Sequence, residues 1–149
     1  NLKSINIFVS GETKSPGINL IHPFSDIFVA LNQVGIKNSG SLRNVELIRD
    51  GKLIAKFDFY EFFINGKNNF SNVRLIDGDV VHIPVVKNRI EVQGEVVRPQ
   101  FYEILSNDSL TELINYAGGL SSLASNKAVL NNISPQNKDC KYNVYYNNY

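Results

Sequence analysis

The chain has 149 residues, with 15 basic and 14 acidic side chains and a formal net charge of +1. This balance argues against nucleic-acid binding, which requires a clustered basic face. The single cysteine, Cys140, excludes a disulfide within the chain, and no apolar run reaches the ~18 residues of a membrane-spanning helix. The sequence opens at Asn1 without a signal peptide, which we interpret as a mature fragment or a piece of a longer protein.

A segment near the N-terminus occurs a second time in the chain. Residues 7–21 recur as residues 90–104, at an offset of 83 residues, and the match continues without a gap to Gly35 and Gly118. Between residues 5 and 35, eight positions are identical to their partners. We therefore predict two units of one fold, at residues 1–86 and 87–149. Units this small are marginally stable alone, so we expect them to pack on each other or on neighbouring subunits.

Each repeat begins with two predicted strands. Apolar and polar residues alternate over residues 5–10 and 90–93, which is typical of a half-buried strand. A Gly-Glu pair follows each strand, and a proline comes four residues after the glutamate, so we predict a defined turn before a second strand at 18–21 or 101–105. The structural turn residues are Gly11, Glu12, Pro16, Gly94, Glu95 and Pro99.

A helix is predicted next in both repeats. Four apolar residues lie at i, i+3, i+4 and i+7, on one helical face. These are Ile27, Ala30, Leu31 and Val34 in the first repeat, and Leu110, Leu113, Ile114 and Ala117 in the second. Ser109 and Glu112 form a capping box, Ser25 or Asp26 can cap the first helix, and glycines at 35 and 118–119 suit the helix ends.

A hairpin follows the first helix. Asp50-Gly51 between β-rich runs predicts it over residues 45–59. Asp58 is expected to cap a short helix at 59–64, and Asp77-Gly78 to turn the chain into a strand at 80–83. The second repeat has a predicted hairpin at 128–133 and 141–146 but no counterpart of the last strand. We therefore predict an α+β fold of tandem β-grasp units, each a mixed sheet packed on one main helix, with the second unit incomplete.

The order of these motifs resembles that of a known domain family. The chain resembles the soluble-ligand-binding β-grasp (SLBB) domains of bacterial polysaccharide export proteins in three motifs. They are V-x-G-E-V-x-x-P-x-x-Y, a helix that ends in A-G-G-L, and D-G-D-V-x-x-I-P. The residues concerned are 92–102 and 117–120 in the second repeat, and Val9, Gly11, Glu12, Pro16, Gly17, 40–44 and 77–84 in the first. The resemblance extends to about residue 130.

This resemblance implies a non-enzymatic role. Such domains stack as periplasmic rings in a homo-oligomer, through which capsule or exopolysaccharide passes. The chain would then be a periplasmic module, associated with the outer membrane through regions outside it, that acts in subunit assembly, contacts other export-complex subunits and can contact the polysaccharide. The alternative is a soluble β-grasp domain that binds a small molecule or a protein partner.

Several charged and tyrosine side chains are candidate contacts for a partner or a glycan. Lys14, Arg43 and Arg98 can meet an acidic polymer or a neighbouring subunit, although Arg98 can instead pair with Glu95 in its own turn. Tyr102 and Tyr145 complete the set, because tyrosine rings stack on sugar faces; the core face of a strand explains the alternating C-terminal tyrosines equally well.

Catalytic, metal and cofactor sites are not predicted. His22 and His82 are the only histidines, and neither they nor Cys140 have metal-ligand spacing. Glu12 and Glu95 belong to separate units, and we expect each to accept backbone N–H bonds within its turn. Neither a G-x-S-x-G motif nor a P-loop occurs.

Overall fold

The computed structural model describes residues 2–123, 130–133 and 139–144, the last two ranges as strand backbone. It divides into two compact units, Asn1–Val86 and Lys87–Tyr149. Both units are α+β, with a mixed sheet and one main helix, as the sequence predicts. None of the helices in the described part of the chain combines the length and apolar character that a membrane crossing requires.

The first unit is a five-stranded sheet that packs on a helix. The strands lie in the order β2-β1-β5-β3-β4, and β1 is parallel to β5 while the other neighbours are antiparallel. The elements are β1 (Ile5–Gly11), β2 (Gly17–Ile21), α1 (Ile27–Val34), β3 (Val45–Arg49), β4 (Lys52–Phe57), α2 (Tyr60–Asn65) and β5 (Val80–Ile83).

Helix α1 covers the inner face of this sheet. The predicted apolar face is confirmed, because Ile27, Ala30, Leu31 and Val34 are all buried. The Asp26 side chain accepts a hydrogen bond from the Val29 N–H at 2.9 Å and caps the helix. The inner face of the sheet contributes its alternate residues to the same core, among them Ile7, Val9, Leu47, Val81 and Ile83.

The predicted hairpin is confirmed, and it contains a bulge that the sequence did not predict. Asp50 and Gly51 both have positive φ, 51° and 71°, as a two-residue turn of this hand requires. The register shifts between Leu47 and Ile48, so that Ile48 lies opposite Leu53. The short helix begins one residue later than predicted, and its N-cap is Phe59 and not the predicted Asp58. The Asp58 carboxylate instead accepts from the Tyr60 N–H at 3.0 Å, in the turn before the helix.

The second unit has a four-stranded sheet, ordered β7-β6-β9-β8. Its elements are β6 (Arg89–Gly94), β7 (Gln100–Glu103), α3 (Leu110–Tyr116), β8 (Leu130–Ile133) and β9 (Asp139–Val144). The Ser109–Glu112 capping box is confirmed by hydrogen bonds in both directions. The predicted apolar face of α3 is only partly correct: Leu113 and Ala117 are buried, whereas Leu110 is 36% exposed.

The second unit contains a counterpart of β5, the last strand of the first unit. The prediction that it has none is therefore wrong. In the first unit Gly11 pairs with Ile83, and β5 runs parallel to β1. In the second unit Gly94 pairs with Val144, and β9 runs parallel to β6. Strand β9 therefore occupies the place of β5, and β8 that of β3. In the described residues of the second unit, the elements without a counterpart are β4 and α2. The prediction that the second unit is incomplete stays a prediction.

Candidate functional site

A turn ends the first strand of each unit at a glycine. Gly11 has φ +86° and Gly94 has φ +94°, a region that favours glycine. A Cβ atom on Gly11 would lie 2.0 Å from the Ile83 carbonyl oxygen, so β1 and β5 approach too closely there for any side chain. Gly11 and Gly94 therefore lie in the turns that the sequence predicts.

The glutamate after each glycine joins its turn to the segment that follows the helix. The Glu12 carboxylate accepts a hydrogen bond from the Ser39 hydroxyl, and the Glu12 carbonyl accepts from the Lys37 N–H at 3.0 Å. In the second unit the Glu95 carboxylate accepts from the Ser121 hydroxyl at 2.9 Å, and its carbonyl accepts from the Ser121 N–H at 2.8 Å. A serine hydroxyl is thus a partner of each carboxylate, because the chain after the helix returns along the turn. Acceptance from a backbone N–H stays a prediction.

Arg43 does not lie on a surface that a partner could reach. Its side chain is 6% exposed and its guanidinium donates to Asp58, with both Nε and Nη2 at 3.0 Å from Oδ2. The same guanidinium lies 4.9 Å from the centre of the Tyr60 ring. The structure therefore corrects the interpretation of Arg43 as a contact residue, because its charge is used inside the first unit.

Tyr102 also belongs to a core. It is 4% exposed, and its hydroxyl donates to the Arg98 carbonyl at 2.6 Å. Burial raises the pKa of its phenol above the ordinary value of 10.0. Its ring is enclosed by the second unit and cannot stack on a sugar, which corrects that interpretation.

Lys14 and Arg98 are the predicted contact residues that the structure places at the surface. Each lies beside the glycine that follows the helix of its unit, Lys14 at Gly35 and Arg98 at Gly118. Arg98 donates to the Tyr116 carbonyl at 3.2 Å, where a cation suits the C-terminal end of α3. Contact with a partner stays a prediction for both, and Tyr145 lies outside the described residues.

A cleft in the second unit is the feature that sequence reasoning missed. It has a volume of about 280 Å³ and opens between the start of β6, the β7–α3 connection and the first turn of α3. Asp108 at its rim is held in place, since it accepts from the Leu105 N–H at 2.7 Å and from the Tyr116 hydroxyl at 3.1 Å. The lining is apolar with a polar rim: Ile90, Ile104, Leu105, Leu110 and Leu113, with Ser106, Asp108 and Ser109.

The first unit shows why this cleft is open. Ile27, the counterpart of Leu110, is 0% exposed, because Phe59, Phe70 and Leu75 from the chain after β4 join its core cluster. In the described residues of the second unit no segment takes this place.

The two histidines have separate local roles. His82 Nδ1 shares a hydrogen bond of 2.8 Å with the Ser10 hydroxyl. His22 Nδ1 accepts from the Phe24 N–H at 3.3 Å. Over residues 2–123 and the described strands that follow, no group of three or more His, Cys, Asp or Glu side chains could hold a metal ion.

A comparison with known protein families gives a match in the second unit. No curated protein matches the chain. Residues 89–137 match the family model described as the SLBB domain, a range that takes in β6, β7, α3 and β8. The mixed sheet and the capped helix of this region agree with a β-grasp-like fold. Residues 89–137 of the second unit are therefore consistent with an SLBB domain, which is a ligand-binding module.

Proposed function

We propose that the chain is a non-enzymatic docking module of a polysaccharide export complex. It acts in the periplasm, and other regions of the full-length protein connect it to the outer membrane. The observation that carries the proposal is the SLBB match of the second unit, together with the repetition of the same turn, helix and parallel strand in the first. A fold used twice in one chain presents two sets of surfaces, which suits assembly.

The partners of this module are copies of itself, other export subunits and the polysaccharide. Apolar side chains exposed on the first unit, Ile18, Leu20 and Phe8 among them, support docking to protein. The exposed cations Lys14 and Arg98 support contact with an acidic polymer. Fold-level analogy supplies the link to export, and the link therefore needs a test in cells.

The test is an in-frame deletion of residues 1–149 from the full-length protein in its source cells. We expect surface polysaccharide to fall while polymer accumulates inside, because the complex loses its docking module. Unchanged surface polysaccharide, with the truncated protein present at normal levels, contradicts the proposal.

Polymer contact is tested separately with point variants of the full-length protein. Lys14→Glu combined with Arg98→Glu is expected to reduce export of an acidic polymer, because it replaces two exposed cations by anions. The matched control is Lys67→Glu, at a lysine whose side chain is 73% exposed. Equal export by both variants would contradict a contact between these two cations and the polysaccharide.

A second candidate function is the binding of a small molecule by the second unit. The cleft favours it, since a mostly apolar lining with a few polar groups at the rim is typical of small-ligand sites. Native mass spectrometry of the chain purified from its source cells is expected to show one bound molecule per chain. Leu110→Glu places a charge in the cleft and is expected to remove that mass, whereas Val29→Glu on α1 is expected to retain it.

A further inference from the structure

The outer face of the first sheet carries a row of apolar residues that crosses all five strands. Phe8 lies opposite Ile18 of β2 on one side and Val80 of β5 on the other. Val80 lies opposite Ile48 of β3, and Ile48 lies opposite Leu53 of β4. We call these five residues the apolar row. Strands are spaced by about 4.8 Å, so the row is about 19 Å long.

The row faces away from the helix. Its neighbours along β1 and β5, Ile7, Val9 and Val81, are buried in the core, and successive side chains of a strand alternate between faces. Ile18 is 65% exposed, Leu53 53% and Phe8 43%. The solvent face of such a sheet is ordinarily polar, and a contiguous apolar surface marks an interaction site.

The second unit shows that the fold does not require these residues. The corresponding cross-strand positions there are Phe101 on β7, Glu91 on β6, Lys141 on β9 and Ile133 on β8. A glutamate and a lysine therefore occupy the centre of the row in the second unit, whereas phenylalanine and valine occupy it in the first. The apolar row is a property of the first unit alone, which points to a contact that the first unit makes.

The residues beside the row indicate which kind of partner fits. The next cross-strand row contains Ser10, His82, Glu46 and Lys56. Ser10 bonds to His82 at 2.8 Å, and Lys56 lies 3.2 Å from the Glu46 carboxylate. The charges of this row are already paired within the chain, so the face favours an uncharged, apolar partner. The corresponding face of the second unit carries Glu91 in the place of Phe8, and burial of that carboxylate has a large desolvation cost.

We propose that two copies of this chain dock through their apolar rows, sheet face against sheet face. A two-fold axis parallel to the strands places Phe8 of each copy opposite Ile48 of the other, and Ile18 opposite Leu53. Each row thereby meets a surface of its own length, spacing and polarity, as an isologous contact requires. Sheets in such packings lie about 10 Å apart with nearly aligned strands. This inference rests on the proposed assembly role, and the two-fold contact pairs copies of the chain without itself closing a ring.

The dimer is tested by sedimentation equilibrium of the 149-residue chain, from about 10 μM to about 1 mM. We expect a reversible dimer, because one row of side chains forms a contact below the size of a permanent interface. Phe8→Glu is expected to weaken dimerisation by at least about tenfold, since a carboxylate in the contact loses its water. Glu91 holds the equivalent position in β6, so this strand geometry accommodates glutamate.

Two further variants keep the test specific to the row. Ile18→Ser removes an exposed apolar side chain from the edge strand and is expected to weaken the dimer without disturbing the core. Val29→Glu is the matched control, since Val29 is 48% exposed on α1, on the other side of the sheet. Circular dichroism of each variant establishes that it is folded.

Three results would overturn the inference. One is a wild-type chain that stays monomeric at about 1 mM. Another is a dimer that Phe8→Glu and Ile18→Ser leave unchanged, which rejects this surface and leaves the assembly role intact. The third is equal weakening by Val29→Glu. The deletion experiment on export decides the assembly role independently of all three.

Discussion

Gly11 lies where β1 and β5 approach most closely, and it accepts no side chain. Gly11→Ala would force a Cβ atom to within 2.0 Å of the Ile83 carbonyl oxygen and strain a backbone at φ +86°. We expect a loss of about 2–4 kcal/mol in the free energy of unfolding. Urea unfolding followed by far-UV circular dichroism measures it.

Gly17 supplies the control for this substitution. It also has positive φ, +97°, but nothing lies within 4 Å of a Cβ placed there. Gly17→Ala is therefore expected to cost only the conformational strain, about 1 kcal/mol. Equal losses for the two variants would show that the contact with Ile83 contributes nothing.

Asp79 is a fully buried carboxylate that the first unit stabilises with three donors. Arg49 donates to it from Nε at 2.8 Å and from Nη2 at 2.9 Å, and the Ile76 N–H donates at 2.9 Å. The hydrogen bond to Asp79 raises the pKa of Arg49. Asp79→Asn is expected to lower the free energy of unfolding by about 2–4 kcal/mol, because it leaves the guanidinium without its charge partner.

The Glu46–Lys56 pair is the comparison for Asp79. The Lys56 side chain is 54% exposed, so the pair is solvated and Glu46→Gln is expected to cost less than about 1 kcal/mol. Urea unfolding of both variants tests the contrast. A larger loss for Glu46→Gln than for Asp79→Asn would contradict it.

Tyr102 is expected to make the free energy of unfolding of the second unit fall at alkaline pH. Burial raises its pKa in the folded state above the value of 10.0 expected when unfolded. Above pH 10.0 the unfolded chain therefore releases this proton before the folded chain does, and stability falls as pH rises towards the folded pKa. Tyrosinate absorbance of the wild type and of Tyr102→Phe should differ by one phenol that titrates above pH 10.0. A difference that titrates at or below pH 10.0 would contradict the prediction.

At the scale of elements, the capping box of α3 is a local signal with a measurable effect. The Ser109 hydroxyl accepts from the Glu112 N–H at 3.2 Å, and the Glu112 carboxylate accepts from the Ser109 N–H at 2.6 Å. Ser109→Ala removes the first bond and is expected to destabilise the second unit by about 1 kcal/mol. Thr111→Ala in the same helix is expected to be neutral or slightly stabilising, because alanine is the better helix former. Thermal unfolding of the two variants measures the difference, and equal melting temperatures would count against the cap.

Local signals were sufficient to predict the helices and the first hairpin. The α1 face and the Asp50-Gly51 turn depend on residues close in sequence, and the structure confirms both. The role of β9 could not be read in this way, because its pairing with β6 joins Gly94 to Val144 across fifty residues of chain. By its order along the chain β9 corresponds to β4, whereas its parallel register with β6 assigns it to the place of β5.

The surfaces were harder to predict than the elements. Arg43 is a charged residue in a loop, and its burial follows from Asp58 and Tyr60, which only the folded chain brings beside it. The β4 member of the apolar row depends on the bulge between Leu47 and Ile48, because without that shift Ile54 and not Leu53 would lie opposite Ile48. A slip of one residue in a strand exchanges its two faces, and a bulge has no reliable local signature here.

At the scale of the whole molecule, the two units differ in how completely they enclose their helices. In the first, Ile27 is 0% exposed beneath Phe59, Phe70 and Leu75, and the sheet has five strands. In the second, the equivalent Leu110 is 36% exposed at an open cleft, and the sheet has four strands. Burial of apolar surface is the main source of stability, so we expect the second unit to unfold at a lower urea concentration.

The distribution of tyrosines allows this difference to be measured without new labels. The chain has seven tyrosines and no tryptophan, and Tyr60 is the one tyrosine before residue 87. Tyrosine fluorescence therefore reports mainly on the second unit, whereas far-UV circular dichroism reports on both. We expect the fluorescence transition to occur first in urea and the circular dichroism signal to show a second, later phase. Tyr60→Phe should leave the early transition unchanged, and coincident transitions for the two signals would contradict the assignment of the open cleft to the weaker unit.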